Sequence, residues 1–182
     1  MKESWLFYFV ELNIMTEKKR FNPDWYLLFA LLVMIILFIS SSMTYKQQTS
    51  VPFLERYFTS KPGLGLLKHV SLDYAGHVDS IKTIGYYKLV EFFIRKAAHF
   101  STYFLLGLFL FLGLKDRIRN IFLTGAVCWL ASLGYAATDE FHQMLTGGRT
   151  PLFQDVMLDG AGALTAIAIA AIVIGLKQYK KS

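Results

Sequence analysis

Two apolar segments of the chain carry ionisable side chains: RKAAHFSTYFLLGLFLFLGL at residues 95–114 and ASLGYAATDEFHQMLTGGRTPLFQDVMLDGAGA at residues 131–163. A single charge at the centre of a membrane helix costs about 2.5–3.5 kcal/mol on insertion scales. A chain with several such charges must pair them, expose them to water or use them. The side chains concerned are Arg95, Lys96, His99, Asp139, Glu140, His142, Arg149, Asp155 and Asp159.

The overall composition is typical of an integral membrane protein. Of the 182 residues, 54% are hydrophobic, and the mean hydropathy is +0.41. Soluble domains contain about 45–50% apolar residues, whereas the apolar residues here are concentrated in blocks. The length fits one domain. The single cysteine, Cys128, excludes an intramolecular disulfide and is interpreted as apolar packing.

The net charge of +6 comes from lysines and arginines that gather at the ends of the apolar blocks. This distribution is typical of membrane proteins and of contact with lipid headgroups. The sequence contains neither a basic stripe nor an aromatic-rich nucleic-acid motif. No nucleic-acid partner is therefore expected.

Four segments contain the roughly 20 apolar residues that a helix needs to cross a membrane. They are residues 25–43, 97–114, 121 to about 142, and about 151 to 176. Asn22-Pro23-Asp24 is a suitable start for the first helix, and Thr150-Pro151 is predicted to start the fourth. The sequence therefore predicts an all-α membrane protein with four transmembrane helices in a small bundle.

Basic clusters predict the orientation of this bundle, because cytoplasmic loops carry an excess of lysine and arginine. The clusters are Lys18, Lys19 and Arg20; Lys115, Arg117 and Arg119; and Lys177, Lys180 and Lys181. They alternate as three loops on one side would, so both termini are predicted to be cytoplasmic in the plasma membrane. The predicted organisation is a cytoplasmic N-terminal segment (1–24), a first transmembrane helix (25–43), an extracellular segment (44–94), a core of three transmembrane helices (95–176) and a cytoplasmic basic tail (177–182).

Two parts outside the spans leave alternatives open. Residues 84–96 mix aromatic, apolar and charged side chains, which predicts an interfacial helix that continues into the second span. Neighbouring His69, Asp73, His77 and Asp79 are interpreted as a solvated loop, with a metal or headgroup site as the alternative. The N-terminal segment is too short to span and does not resemble a signal peptide. It is either an interfacial helix or a stretch before a true start at Met15.

This topology brings polar residues of three helices to one level of the membrane. Helical spacing places Arg95, His99 and Tyr103 on one face. Arg95 or Lys96 is expected to pair with Asp139, and Arg149 with Asp155. Adjacent residues diverge by about 100° around a helix. Only one of Asp139 and Glu140 is therefore expected to face the cluster. Either Asp139 or His142 faces inward and Glu140 reaches the membrane interface, or the helix has the opposite rotation.

The motifs R-K-x-x-H-F-x-x-Y-F-x-L-G (95–107) and D-E-x-H-Q-x-x-x-x-G-R-x-x-x-x-x-D-V-x-x-D-x-x-G (139–162) resemble the VanZ-like family over about residues 92–176. The resemblance implies a multi-pass protein of the Gram-positive cell membrane. The family's named member confers low-level resistance to teicoplanin, a lipidated glycopeptide. The motif positions are Arg95, Lys96, His99, Tyr103, Asp139, Glu140, His142, Gln143, Gly148, Arg149, Asp155, Asp159 and Gly162.

The favoured function is binding of an amphiphile at the outer leaflet, either a lipid-linked cell-wall precursor or a lipoglycopeptide. Arginine forms bidentate contacts with phosphate or carboxylate, which suits such a ligand. The candidate ligand-binding residues are Arg95, Lys96, His99, Tyr103, Asp139, Glu140, His142, Gln143, Arg149, Asp155 and Asp159.

Two alternatives remain. His99, Asp139, Glu140 and His142 include the acid–base types of a lipid-headgroup enzyme. The H-E-x-x-H and G-x-S-x-G motifs are absent, however, so a non-enzymatic role is favoured. In the other alternative, the charges form a structural polar network that fixes helix packing, and the function lies in a partner. The sequence contains no cofactor motif, and neither a cofactor nor a metal is predicted.

Overall fold

A computed structural model describes residues 22–74, 76–147 and 151–180. Its elements in chain order are α1 (Pro23–Ser41), α2 (Tyr45–Gln48), α3 (Val51–Tyr57), α4 (Leu64–Leu67), β1 (Ser71–Tyr74), β2 (His77–Ser80), α5 (Ile81–Ile84), α6 (Tyr86–Ile118), α7 (Ile121–Gly147) and α8 (Phe153–Tyr179). Helices α1, α6, α7 and α8 are long and apolar enough to cross a membrane. The prediction of an all-α membrane protein with four such helices is confirmed.

Helix α6 is the centre of the bundle and packs against α1, α7 and α8. Its contact with α8 depends on small residues. A Cβ added to Gly107 would lie 2.8 Å from the Cα of Ala163, and a Cβ added to Gly162 would overlap the carbonyl oxygen of Phe100. The two backbones therefore approach as closely as glycine allows, which is a common basis of packing between membrane helices.

Small side chains fill the inside of the bundle, and large apolar side chains cover its outside. Buried positions include Ala30, Ala163 and Ala166, whereas Phe122 is 87% exposed and the outward face of α1 is lined by large apolar side chains. On a water-soluble protein such a continuous apolar surface would promote association. Hydrocarbon contacts it without that penalty, which agrees with the membrane assignment.

At one end of the bundle, a short turn holds α6 and α7 antiparallel. Arg119 ends α6 in a left-handed conformation, with φ of 61°, and α7 begins two residues later. The Asn120 side-chain oxygen accepts a hydrogen bond from the Leu123 amide at 3.0 Å. Arg117 bonds to Asp24 at the start of α1, which joins α6 to α1 at this same end.

At the other end, the last turns of α1 and α7 meet the first turns of α6 and α8. We call this the polar end. Helix α6 has 33 residues, or about 50 Å at 1.5 Å per residue, which exceeds a hydrocarbon core of about 30 Å. It begins at Tyr86 rather than at residue 97, so the predicted interfacial helix is the first part of α6 and continuous with the spanning part.

The segment between α1 and α6 differs from the predicted loop. Strands β1 and β2 pair antiparallel, with Tyr74 opposite His77, and form a hairpin beside the polar end. His69 and Asp73 are exposed, as the solvated-loop interpretation requires, but Asp79 lines a cavity. Strands of four residues are too short to produce a clear alternating pattern in sequence, which explains why the hairpin was missed.

The predicted start of α8 is also wrong. The N-cap is Leu152, in an extended conformation, rather than Thr150 followed by Pro151. The physical reason is tertiary. The Leu152 amide donates a hydrogen bond of 2.8 Å to a Glu140 carboxylate oxygen of α7, so a side chain from another helix replaces the local cap.

We predict that Gly162→Ala destabilises the bundle, because the added methyl group meets the Phe100 backbone, which cannot move aside cheaply. Overpacking of this kind costs about 1–3 kcal/mol. The thermal midpoint in detergent, followed by circular dichroism, should fall. The control is Gly134→Ala in α7, where a Cβ has nothing within 4 Å and the substitution favours helix. Equal midpoints for the two variants would contradict the close approach.

Candidate functional site

An ion pair between α6 and α8 lies at the polar end. The Lys96 ammonium bonds to Asp155 in the first turn of α8, and the Tyr74 hydroxyl of the hairpin donates to the same carboxylate oxygen. The ammonium also lies 4.4 Å from the centre of the Tyr74 ring and 5.2 Å from that of Phe92. Burial, followed by the hydrogen bond to Asp155, raises the pKa of the Tyr74 hydroxyl, so this group remains a donor at neutral pH.

The predicted partners of these charges are corrected by this geometry. Lys96 pairs with Asp155 rather than with Asp139, because both Lys96 and Asp155 lie on the facing sides of α6 and α8. Arg149, the predicted partner of Asp155, lies outside the described residues. Arg95 is directed elsewhere, with its guanidinium 5.4 Å from the centre of the Tyr45 ring.

A second contact between the same helices lies one turn deeper. His99 Nδ1 is 3.3 Å from Asp159 Oδ2, and the Asp159 side chain is only 5% exposed. The other Asp159 carboxylate oxygen and the Tyr103 hydroxyl are buried without a hydrogen-bond partner among the described residues. Tyr103 is completely buried and packs near Tyr135, so it belongs to the core and does not line the cavity described below.

The acidic pair on α7 is buried on two sides. Asp139 is 5% exposed and accepts a hydrogen bond of 3.1 Å from Gln143. Glu140 is 9% exposed and accepts from the Leu152 amide at the start of α8. The expectation that only one of the two acids faces inward is wrong, because both are buried. The polar end covers α7 on both sides, so adjacent residues that diverge around the helix are both enclosed.

His142 faces α1 and lies apart from Lys96, His99, Asp155 and Asp159. Its Nε2 is 3.0 Å from the Ser42 hydroxyl, and its ring stacks on Phe38 with centroids 4.7 Å apart. The structure therefore divides the predicted site residues into two groups. His99 and the carboxylates join α6, α7 and α8, whereas His142 attaches α7 to the end of α1.

A buried glutamate that sequence reasoning missed anchors the segment after α1. Glu91 in α6 is 2% exposed and accepts four hydrogen bonds, from the Tyr45 hydroxyl at 2.9 Å, the Thr49 hydroxyl at 2.9 Å, the Ser50 amide at 2.6 Å and the Ser50 hydroxyl at 3.3 Å. Glu91 precedes Arg95 by four residues, which is the spacing of neighbours on a helix face. That spacing indicates a polar face on this helix. The interpretation of residues 84–96 as an interfacial helix does not use it.

These elements enclose a cavity of about 540 Å³ at the polar end. Helix α6 forms one wall, α7 and α8 form another, and α2 and the hairpin complete the rim. Its cations are Lys88, Arg95 and Lys96, its acids include Glu91, Glu140 and Asp155, and its aromatic residues are Tyr45, Tyr74 and Phe92. Neither Lys88 nor Arg95 forms a salt bridge with any residue of the described ranges. Tyr45 and Tyr74 could not be assigned from sequence, because tertiary packing alone brings them to α6.

The lining of the cavity is charged, polar and aromatic. Two of its cations form no salt bridge among the described residues. They lie beside aromatic walls and carboxylates that already accept hydrogen bonds. Within residues 22–74, 76–147 and 151–180, no group of three or more histidine, cysteine or acidic side chains is arranged to hold a metal ion. The residues present suit hydrogen bonding and charge recognition of an organic or phosphate-bearing ligand.

Fold and site together define a small helical membrane protein with a polar cavity at one end of its bundle. A family model described as VanZ/LLP1 matches residues 26–174, and the chain belongs to this family. The resemblance seen in the sequence is confirmed, and its range is wider than expected, because the match begins in α1 rather than near residue 92. Neither a curated protein nor a solved structure matches the chain.

We predict that Glu91→Ala loosens the segment at residues 45–50 while leaving the four long helices in place. The substitution removes four charge-assisted hydrogen bonds, each worth about 1.5–3 kcal/mol, and leaves the Ser50 amide without its acceptor. In limited proteolysis of the detergent-solubilised protein, trypsin should cleave after Lys46 faster than in the wild type. Exposed Glu55→Ala is the control, and the same cleavage rate in both variants would contradict the anchoring role.

Proposed function

We propose that the cavity at the polar end binds the anionic head of an amphiphile, either a lipid-linked cell-wall precursor or a lipoglycopeptide such as teicoplanin. The observation that carries the proposal is the pair Lys88 and Arg95, which line the cavity on one face of α6 without a salt bridge to the described residues. Cations that line a cavity without forming a salt bridge favour an anionic ligand.

The shape and lining of the cavity support this class of ligand. A volume of about 540 Å³ is within the range of small-molecule sites. The planar guanidinium of Arg95 can bind a phosphate or carboxylate through two parallel hydrogen bonds. The guanidinium lies over the Tyr45 ring, 5.4 Å from its centre, and a guanidinium already placed by such a contact loses less conformational freedom when a ligand binds.

The carboxylates of the cavity make the site selective for hydrogen-bond donors as well as for charge. Glu91 and Asp155 already accept protein hydrogen bonds, and Glu140 accepts only from the Leu152 amide among the described residues. A ligand head with hydroxyl, amide or amino donors beside its anion fits this arrangement. Sugar-bearing and peptide-bearing precursors and glycopeptides have such donors, whereas a simple fatty acid does not.

The location of the polar end supports a ligand of the outer leaflet. The three basic clusters at residues 18–20, 115–119 and 177–181 favour cytoplasmic placement of the opposite end. Family membership supports the same proposal, because the family's named member confers low-level teicoplanin resistance. In this proposal, the protein lowers susceptibility by binding the lipidated drug or its lipid-linked target.

Drug susceptibility in a Gram-positive host provides the test. Cells that express the wild type should resist teicoplanin more than cells that lack the gene, with little change towards a non-lipidated glycopeptide. Arg95→Gln should remove this protection. In nanodiscs, its affinity for teicoplanin, measured by calorimetry, should fall about 10- to 100-fold, because one charge-assisted contact is worth about 1.5–3 kcal/mol.

Arg56→Gln is the matched control, because it removes the same charge from an exposed residue outside the cavity. Equal protection by wild type, Arg95→Gln and Arg56→Gln at matched membrane abundance would argue against the cavity. Asp139→Asn is a control for folding, because Asp139 is buried, accepts a hydrogen bond from Gln143 and does not line the cavity. If Asp139→Asn and Arg95→Gln both disappeared from the membrane, a structural polar network would be the better explanation.

A further inference from the structure

An apolar groove lies on the face of α6 that is turned away from the cavity. Helix α3 and the residue after it supply Phe53, Leu54 and Phe58, and the first turns of α6 supply Val90, Phe93 and Ile94. The groove has a volume of about 620 Å³. Phe53 is 58% exposed and Ile94 46% exposed, so the groove presents apolar surface that the described part of the chain does not cover.

Two tyrosines fix the wall of this groove. The Tyr86 hydroxyl donates to the Pro62 carbonyl oxygen at 2.6 Å, and the Tyr87 hydroxyl donates to the Phe58 carbonyl oxygen at 3.4 Å. The Lys61 ammonium lies 5.6 Å from the centre of the Tyr87 ring. Because Tyr87 and Pro62 both line the groove, Lys61 places a positive charge at its edge.

The groove lies at the depth of the membrane interface. Lys115 and Arg117 mark one end of the spanning part of α6. About 20 residues cross the hydrocarbon core, so the other boundary falls near Arg95. Phe93 and Ile94 are therefore next to that boundary, where lipid phosphates and the first carbons of the acyl chains are found.

We propose that the groove binds one acyl chain of an anionic phospholipid from the surrounding bilayer, with the lipid phosphate beside Lys61. Charge complementarity selects this occupant. In residues 51–70, the cations Arg56, Lys61 and Lys68 are accompanied by a single acid, Glu55. Each basic residue near an anionic membrane surface contributes about 1 kcal/mol to its attraction, which corresponds to about a fivefold preference for anionic lipid.

This site is separate from the cavity of the proposed function and does not depend on it. Lys88, Phe92 and Arg95 face the cavity, whereas Val90, Phe93 and Ile94 face the groove. These two sets lie on opposite sides of α6, as their helical spacing requires. The body of the helix therefore separates the two sites.

Native mass spectrometry of the full-length protein tests this proposal. The wild type, extracted from vesicles with equal amounts of phosphatidylglycerol and phosphatidylcholine, should retain phosphatidylglycerol preferentially. Lys61→Gln should reduce that preference about fivefold. Phe93→Gln should reduce retention of both lipids, because it makes the groove polar. Lys82→Gln removes an exposed charge outside the groove and should leave the preference unchanged.

Three results would overturn the proposal. The first is an unchanged lipid preference in Lys61→Gln, and the second is an equal loss in Lys82→Gln, which would indicate a general charge effect. The third is a dimer that Phe93→Gln dissociates without any change in bound lipid, which would make a second copy of the chain the occupant. Circular dichroism should show that each variant is folded. Teicoplanin protection is a separate measurement that depends on the cavity, so the two proposals fail independently.

Discussion

Satisfaction of the carboxylates at the polar end is the constraint on which the other features depend. Asp139, Glu140 and Asp159 are each less than a tenth exposed in helices that are otherwise apolar. An unpartnered charge in such surroundings is very costly. Glu140 takes its donor from the start of α8, and Asp159 contacts His99 of α6, so these two acids determine how α6, α7 and α8 are rotated. The hydrogen bond from Leu152 to Glu140 even determines where α8 begins.

Close helix packing brings the donors within reach of these carboxylates. Glycines at the α6–α8 contact bring the two backbones together, so that Lys96 and His99 reach Asp155 and Asp159. The segment after α1 then attaches to the same end through Glu91. The cavity is a consequence of this arrangement. Its polar walls are present because the acids need partners, and two of its cations, Lys88 and Arg95, form no salt bridge among the described residues.

Much of the fold could be predicted from sequence, because hydrocarbon imposes a length and a composition on each span. The same rules placed Lys96, His99, Asp155 and Asp159 at one membrane level, since helix starts and a spacing of four residues fix depth and face. Individual partners could not be predicted in this way. From sequence alone, Lys96 could pair with either Asp139 or Asp155, and the choice between them depends on helix rotation. Tyr74 reaches the site across 81 residues of sequence, for which no local pattern exists.

The uninterrupted helix between the α6–α7 turn and the acids has a consequence for how this family can vary. Asp139 lies 18 residues after the start of α7, about 27 Å from the turn at 1.5 Å per residue. Inserting one residue within this part of α7 would rotate the acids by about 100° relative to the turn. The acids would then be directed away from their donors at the opposite end. Insertions and deletions are thus expected to accumulate between α1 and α6, where the chain is attached by side chains, and to be excluded from this part of α7.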